Sequence, residues 1–197
     1  MLSPELALKS ILQRVGPLDA ERVPLLDAVG RIIAEPVVAD RVLPAWDNSA
    51  MDGYAVRHAD LTRGGAIPVT RHIAAGDTDD TPLAPGEAAR IFTGAAVPAG
   101  ADTVLIQEDA QVGAAGLVAR ELPQPGANIR RAGSDVRPGQ AVVPAGRPLT
   151  PGDVGLLAAL GRTQVAVVRR PVVAIVSTGD ELRPIDTAAL ARGQIRN

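Results

Sequence analysis

Glycine or proline interrupts almost every apolar run of this chain, so few elements can grow long before a turn ends them. With Gly 20 and Pro 17 in 197 residues, the expected product is many short strands joined by tight turns, with more strand than helix. Hydrophobic residues make up 46% and aromatics only 2%, so the core must be built from Val, Ile, Leu and Ala. A formal net charge of -2 gives no general attraction to nucleic acid or to an anionic membrane, and rings to stack bases are nearly absent. Zero cysteines exclude disulfides, thiolate metal sites and cysteine nucleophiles. His58 and His72 lack metal-ligand spacing and are read as surface or structural residues. No signal-like N-terminus and no membrane-length apolar run is visible, so a cytoplasmic location is expected, with neither nucleic acid nor membrane as partner.

Along the chain, Ser3 is placed to cap a helix beginning at Pro4, with Leu8, Ile11, Leu12 and Val15 on one face and Gly16-Pro17 as its stop. A second helical pattern spans Leu25 to Ala34, and Val37 to Val42 reads as extended. From Ala45 to Asp135 come strand-sized runs, Ile67 to Ile73, Ala88 to Phe92, Thr103 to Gln107 and Gly116 to Leu122, which suggest a small β-barrel or sandwich. Thr150-Pro151-Gly152-Asp153 opens a helix through Leu160 that Gly161 closes, and Val165 to Val168 reads as a strand. The fold class expected is therefore mixed α and β and multi-domain. Residues 1–44 plus 136–168 would form a discontinuous domain, with β-rich 45–135 inserted. Pro171 to Val176 is an uninterrupted apolar run, predicted to be a strand buried on both faces of a parallel sheet that starts an α/β domain at 169–197. Such a strand needs neighbours, and the expectation is that the chain is the front part of something longer.

Chemistry-bearing residues gather in four places. Leu43 to Arg57, LPAWDNSAMDGYAVR, holds the only Trp and the only Tyr; Asp47, Asn48 and Ser49 suit loop bending, while Asp52 either shapes a turn or is a fixed acid able to bind Mg²⁺ or orient a water. Thr93-Gly94 is either a strand exit or an oxyanion site. Arg130 and Arg131 near Asp135 are either a phosphate clamp or an internal salt bridge. Ser177, Thr178 and Gly179 followed by Asp180 and Glu181 suit an anion bridged by a hard cation at the end of a strand, unless Asp180 only caps the next turn.

Taken in order, DNSAMDGYA at Asp47 to Ala55, TGA at Thr93 to Ala95, Gln107-Glu108, NIRR at Asn128 to Arg131 with Gly133 and Asp135, and STGDEL at Ser177 to Leu182 resemble the molybdopterin molybdenumtransferase family, the MoeA proteins related to the gephyrin E domain. The resemblance covers essentially the whole chain. Departures are Ala45-Trp46 where the family often has Pro-Phe, Ala96 for Pro, Ala132 for Arg and Ser134 for Glu. The resemblance implies molybdenum cofactor biosynthesis: with Mg²⁺, the intact enzyme takes adenylated molybdopterin and molybdate and releases AMP. It implies a homodimer, with Asp52, Thr93 and Asp135 on one wall of a cleft and Asp180 and Glu181 on the other. Catalytic residues are then expected at Asp52, Thr93, Asp135 and Asp180. Substrate contacts are expected at Ser49, Met51, Arg130, Arg131, Ser177, Thr178 and Gly179, and metal ligands at Asp180 and Glu181. This chain alone is expected to be inactive. A gephyrin-like peptide-binding scaffold and a pterin or nucleotide carrier are the competing functions; acids at Asp52 and Asp180 favour chemistry.

Overall fold

In the computed structural model, which describes residues 2–197, the frequent turns produce fourteen short strands and three helices among the described residues. In chain order these are α1 (Pro4–Leu12), β1 (Ala20–Pro24), β2 (Val37–Val38), β3 (Asn48–Ser49), β4 (Gly53–Val56), α2 (His58–Arg63), β5 (Val69–Ile73), β6 (Ala88–Ile91) and β7 (Thr103–Ile106). Then follow β8 (Ala110–Gly113), β9 (Gly116–Ala119), β10 (Ile129–Arg130), β11 (Ala141–Val143), α3 (Pro151–Ala159), β12 (Gln164–Val168), β13 (Leu182–Arg183) and β14 (Ile195–Arg196). The chain forms two compact units, Arg22–Val167 and Met1–Glu21 with Val168–Asn197. No described helix is long and apolar enough to cross a membrane.

The larger unit centres on a four-stranded sheet in the order β5-β6-β4-β7. Alternation along these strands sends Ala55, Ala89, Ile91 and Val104 to one face and Val56, Ala88 and Leu105 to the other, where Leu61 of α2 and Leu117 of β9 cover them. Facing alanines at Ala55 and Ala89 belong to the first of these clusters. Gly53 opens β4 because a Cβ there would overlap the carbonyl of Leu105 on β7. Asp52-Gly53, which reads as a turn pair, is thus the entry to the central strand. A third cluster joins Leu25, Ile33 and Ala39 with Val136, Val143, Leu149, Leu157, Leu160 and Val167. Antiparallel bridges from Ile33 to Val167 and from Leu43 to Val136 tie these distant stretches together.

Several expected elements change. The helix expected over Leu25 to Ala34 shrinks to a 3-10 turn at Leu25–Ala28, because Gly30 takes φ +76 and Ile32 and Ile33 extend to make bridges. The extended run from Val37 shortens to β2, which pairs with β11. The helix opened by Ser3 ends at Leu12, and its Leu8, Ile11 and Leu12, with Val15 beyond it, are all exposed; α1 buries no side chain. Pro171 to Val176 forms no strand, and Val172, Val173, Ile175 and Val176 are exposed. An apolar strand of that kind persists only where neighbours pair with its edges and cover its faces, and no described segment pairs with it.

α3 behaves as its local code directs. The Thr150 hydroxyl accepts from the Asp153 N–H at 3.2 Å while the Asp153 carboxylate accepts from the Thr150 N–H at 2.8 Å, a reciprocal capping box. Arg147 adds a two-pronged pair to the same carboxylate at 2.6 and 2.7 Å. The Arg147 guanidinium first, and Thr150 after it, hold the Asp153 carboxyl far below the usual carboxylate range. A pKa lowered on folding stabilises above the unfolded value of about 3.9 and loses that contribution as pH falls through the folded value. Urea denaturation at pH 6 should therefore show Asp153→Asn less stable than wild type, with the gap closing in strong acid. In the same assay Leu157→Ala, emptying a fully buried site, should cost about 2–5 kcal/mol, and Leu12→Ala on the exposed face of α1 no more than about 0.5 kcal/mol.

Candidate functional site

Three of the other four motif segments converge on the one in the loop after Leu43. The Ser49 N–H donates to the Ala95 carbonyl at 2.9 Å, and the Gly94 N–H returns to the Ser49 carbonyl at 2.8 Å. β3 pairs with β10, setting Asn48 opposite Arg130 and Ser49 opposite Ile129. The Gln107 N–H donates to the Asp52 carbonyl at 3.1 Å. This backbone lacing brings Met51, Asp52, Thr93, Gln107 and Glu108 around one cavity of about 230 Å³.

Asp52 is the fixed acid of that cavity. Its Oδ1 accepts from the Thr93 N–H and from the Thr93 hydroxyl, each at 2.8 Å. The Thr93 N–H, then its hydroxyl and more weakly the charge of Arg90 pull the Asp52 pKa below the ordinary value. Thr93-Gly94 is the exit from β6, and the two Thr93 donors that the oxyanion reading would offer to a ligand bond to the Asp52 carboxylate. Thr93 acts as a donor to Asp52.

Other expected site residues lie apart from the cavity lining. Ser49 is fully buried, and its hydroxyl donates to the Met51 carbonyl at 2.6 Å, so it shapes the loop. Asp47 accepts from Arg131 Nη1 at 2.6 Å and from the Ala132 N–H at 2.8 Å, and these two donors, the backbone one first, lower its pKa. Arg131 therefore pairs with an acid far back in the chain and not with Asp135, whose carboxylate accepts from the Ser134 hydroxyl at 3.0 Å. Arg130 is exposed on β10, and the Asp135 N–H bonds to the Leu43 carbonyl. Ser177, Thr178, Gly179, Asp180 and Glu181 are exposed in the smaller unit, outside any strand. No group of three or more His, Cys, Asp or Glu side chains placed to hold a metal occurs among the described residues. A Mg²⁺ ion, however, commonly takes only one or two carboxylates and fills its shell with water and substrate phosphate, and Asp180 and Glu181, consecutive and both exposed, are donors of that chemical kind.

Sequence reading missed two polar centres. Asp60 is 5% exposed and accepts from the Gly86 N–H at 2.8 Å and from Arg63 at 3.2 Å, tying α2 to the turn before β6. Arg90 lies between the rings of Tyr54 and Phe92, 5.0 Å from each centroid. The scarcity of aromatic residues was the available signal, but pairing Tyr54 with Arg90 requires the β4–β6 register.

The site is a cavity at the ends of strands β4, β6 and β7 with a fixed carboxylate, on a mixed fold dominated by short strands. The family described as MoeA N-terminal region (domain I and II) matches residues 2–161, and the chain belongs to that family. It is 39% identical over 197 residues to the molybdopterin molybdenumtransferase of Haemophilus influenzae, covering 99% of this chain and 48% of that one. To the molybdopterin molybdenumtransferase of a Nostoc species it is 43% identical over 182 residues, 90% of this chain and 42% of the relative. The crystal structure of the molybdopterin biosynthesis MoeA protein from Pyrococcus horikoshii OT3 superposes with a TM-score of 0.83 at 35% identity, covering 93% of this chain and 50% of that one. The chain spans about half the length of the relatives it matches.

If Thr93 sets the charge of Asp52, Thr93→Val removes the hydroxyl and keeps the N–H. A carbon-13 NMR titration should then show the Asp52 pKa rising without returning fully to its ordinary value, while that of Asp47 stays in place. An unmoved Asp52 would mean that the hydroxyl plays no part in holding the charge.

Proposed function

We propose that the protein serves molybdenum cofactor biosynthesis, inserting molybdenum from molybdate into adenylated molybdopterin with release of AMP. The observation that carries this reading is the cavity itself, where a carboxylate anchored by two donors shares a small space with Thr93 and Glu108. At about 230 Å³ the cavity is below the ~300 Å³ lower end of sites for whole small molecules, so it has room for one polar group of a larger ligand, and an anionic group there would need a cation beside the carboxylates of Asp52 and Glu108. Family membership supports the substrate class, because the relatives are named for molybdenum transfer to molybdopterin.

A lowered pKa makes Asp52 a poor proton shuttle at neutral pH, since efficient general bases have pKa values near the working pH. Its role is that of a permanent acceptor, orienting a water or hydroxyl group beside the phosphoanhydride. Thr93 keeps that acceptor in one position. Arg130 and Asp135 flank the same lacing of loops and are proposed to contact the substrate. Mg²⁺, held by Asp180 and Glu181, would supply charge neutralisation for the anionic groups. A homodimer is the proposed assembly, and residues 1–44 with 136–168 the proposed domain around an inserted 45–135; the cluster shared by Leu25, Ile33, Val143 and Leu157 supports the part of that domain from Arg22 onward.

The full-length protein, given adenylated molybdopterin, molybdate and Mg²⁺, should release AMP, and this chain alone should not. Asp52→Ala should reduce turnover about 100-fold while substrate affinity changes little. Asp180→Asn combined with Glu181→Gln should raise the Mg²⁺ concentration needed for half-maximal release, and sedimentation should give the mass of a dimer. Full turnover in Asp52→Ala would remove that residue from the mechanism, and ligand binding without AMP release by the wild type would favour a carrier.

A further inference from the structure

Arg90 consumes an unusual share of what this chain can spend on recognition. The sequence contains one Trp, one Tyr and one Phe, and two of these three rings lie on its guanidinium. Tyr54 is its cross-strand partner on β4, and Phe92, two residues on, lies just past the end of β6. The stacked guanidinium then uses its edge. Nη1 donates to the Gly53 carbonyl at 3.3 Å and Nη2 to Gln107 Oε1 at 2.6 Å. Gln107, its oxygen taken, has its amide nitrogen left to donate, and it bonds to Glu108 Oε1 at 3.2 Å. Glu108 lines the cavity of Asp52 and Thr93. An ammonium group has neither the flat faces for two rings nor the fork for Gly53 and Gln107.

We propose that Arg90 is a positioning residue of the site, acting through Gln107 to aim the carboxylate of Glu108 into the cavity that Asp52 and Thr93 line. The catalytic part of this inference rests on the reading under Proposed function. The aim itself does not. Glu108 becomes the second acidic group of the cavity, fixed by a relay from β6 where Asp52 is fixed by Thr93.

The test pairs kinetics with spectroscopy on the whole protein. In the AMP-release assay, Arg90→Lys and Gln107→Ala should each lower kcat about ten-fold to a hundred-fold with KM within about two-fold, as misplacement of a reacting group does. The double variant should be no worse than the poorer single one, because both changes cut the same relay. Arg90→Ala should recover part of its kcat when methylguanidine fills the slot between Tyr54 and Phe92. Independently of turnover, the side-chain resonances of Gln107 and Glu108 should shift in Arg90→Lys while the backbone amides of Ala55 and Val56 on β4 stay in place. Multiplicative losses in the double variant, or wild-type kcat in both single variants, would overturn the relay. If the wild type releases no AMP, the functional reading fails and the spectra alone decide: unmoved Gln107 and Glu108 resonances in Arg90→Lys overturn the positioning role.

Discussion

Backbone hydrogen bonds to the loop between Leu43 and Asp52 hold the site together. Leu43 is bridged to Val136, Ser49 exchanges bonds with Gly94 and Ala95, Ala50 donates to the Asn128 carbonyl, and the Asp52 carbonyl accepts from Gln107. These segments lie up to about ninety residues apart in sequence, and each bond restricts where the next can fall. The loop buries none of its apolar side chains. Its order comes from satisfying peptide groups that are partly or wholly removed from water, which are costly to leave unpaired. Ser49 illustrates the logic, since a fully buried hydroxyl must find a partner and finds it in the Met51 carbonyl.

Two acids on this loop receive similar partners and reach different ends. Asp47 and Asp52 each accept a backbone N–H from a distant segment, and in both that bond is the leading cause of the lowered pKa. Asp47 then meets a cation, Arg131, which closes it into a structural tie. Asp52 meets a hydroxyl, Thr93, and so keeps a net charge facing a cavity. A carboxylate held by neutral donors stays available to a ligand. One closed by a guanidinium does not.

Readings that depend on neighbours in sequence survived folding well. Ser3 caps α1, Thr150 and Asp153 box the start of α3, and the apolar runs from Ile67, Ala88 and Thr103 became β5, β6 and β7. Such signals act within a turn or along a strand, so the residues that encode them are adjacent. Expectations failed where a partner decided the outcome. Ile32 and Ile33 left a helical pattern because bridges to Pro148 and Val167 were available, and Val172 to Val176 stayed exposed because no described segment pairs with them.

The same divide runs through the site. Motif order and residue type were enough to mark Asp52 and Thr93 as candidates and to point to the family, because those properties are carried by the chain itself. Tertiary structure alone joined Asp52 to Thr93, gave Arg131 to Asp47 in place of Asp135, and set Arg90 between Tyr54 and Phe92 beside Gln107. The reason is geometric: a hydrogen bond or ring contact is specified by angstroms between atoms, and between separate segments of chain those distances exist only once the sheet register and the loop lacing have formed.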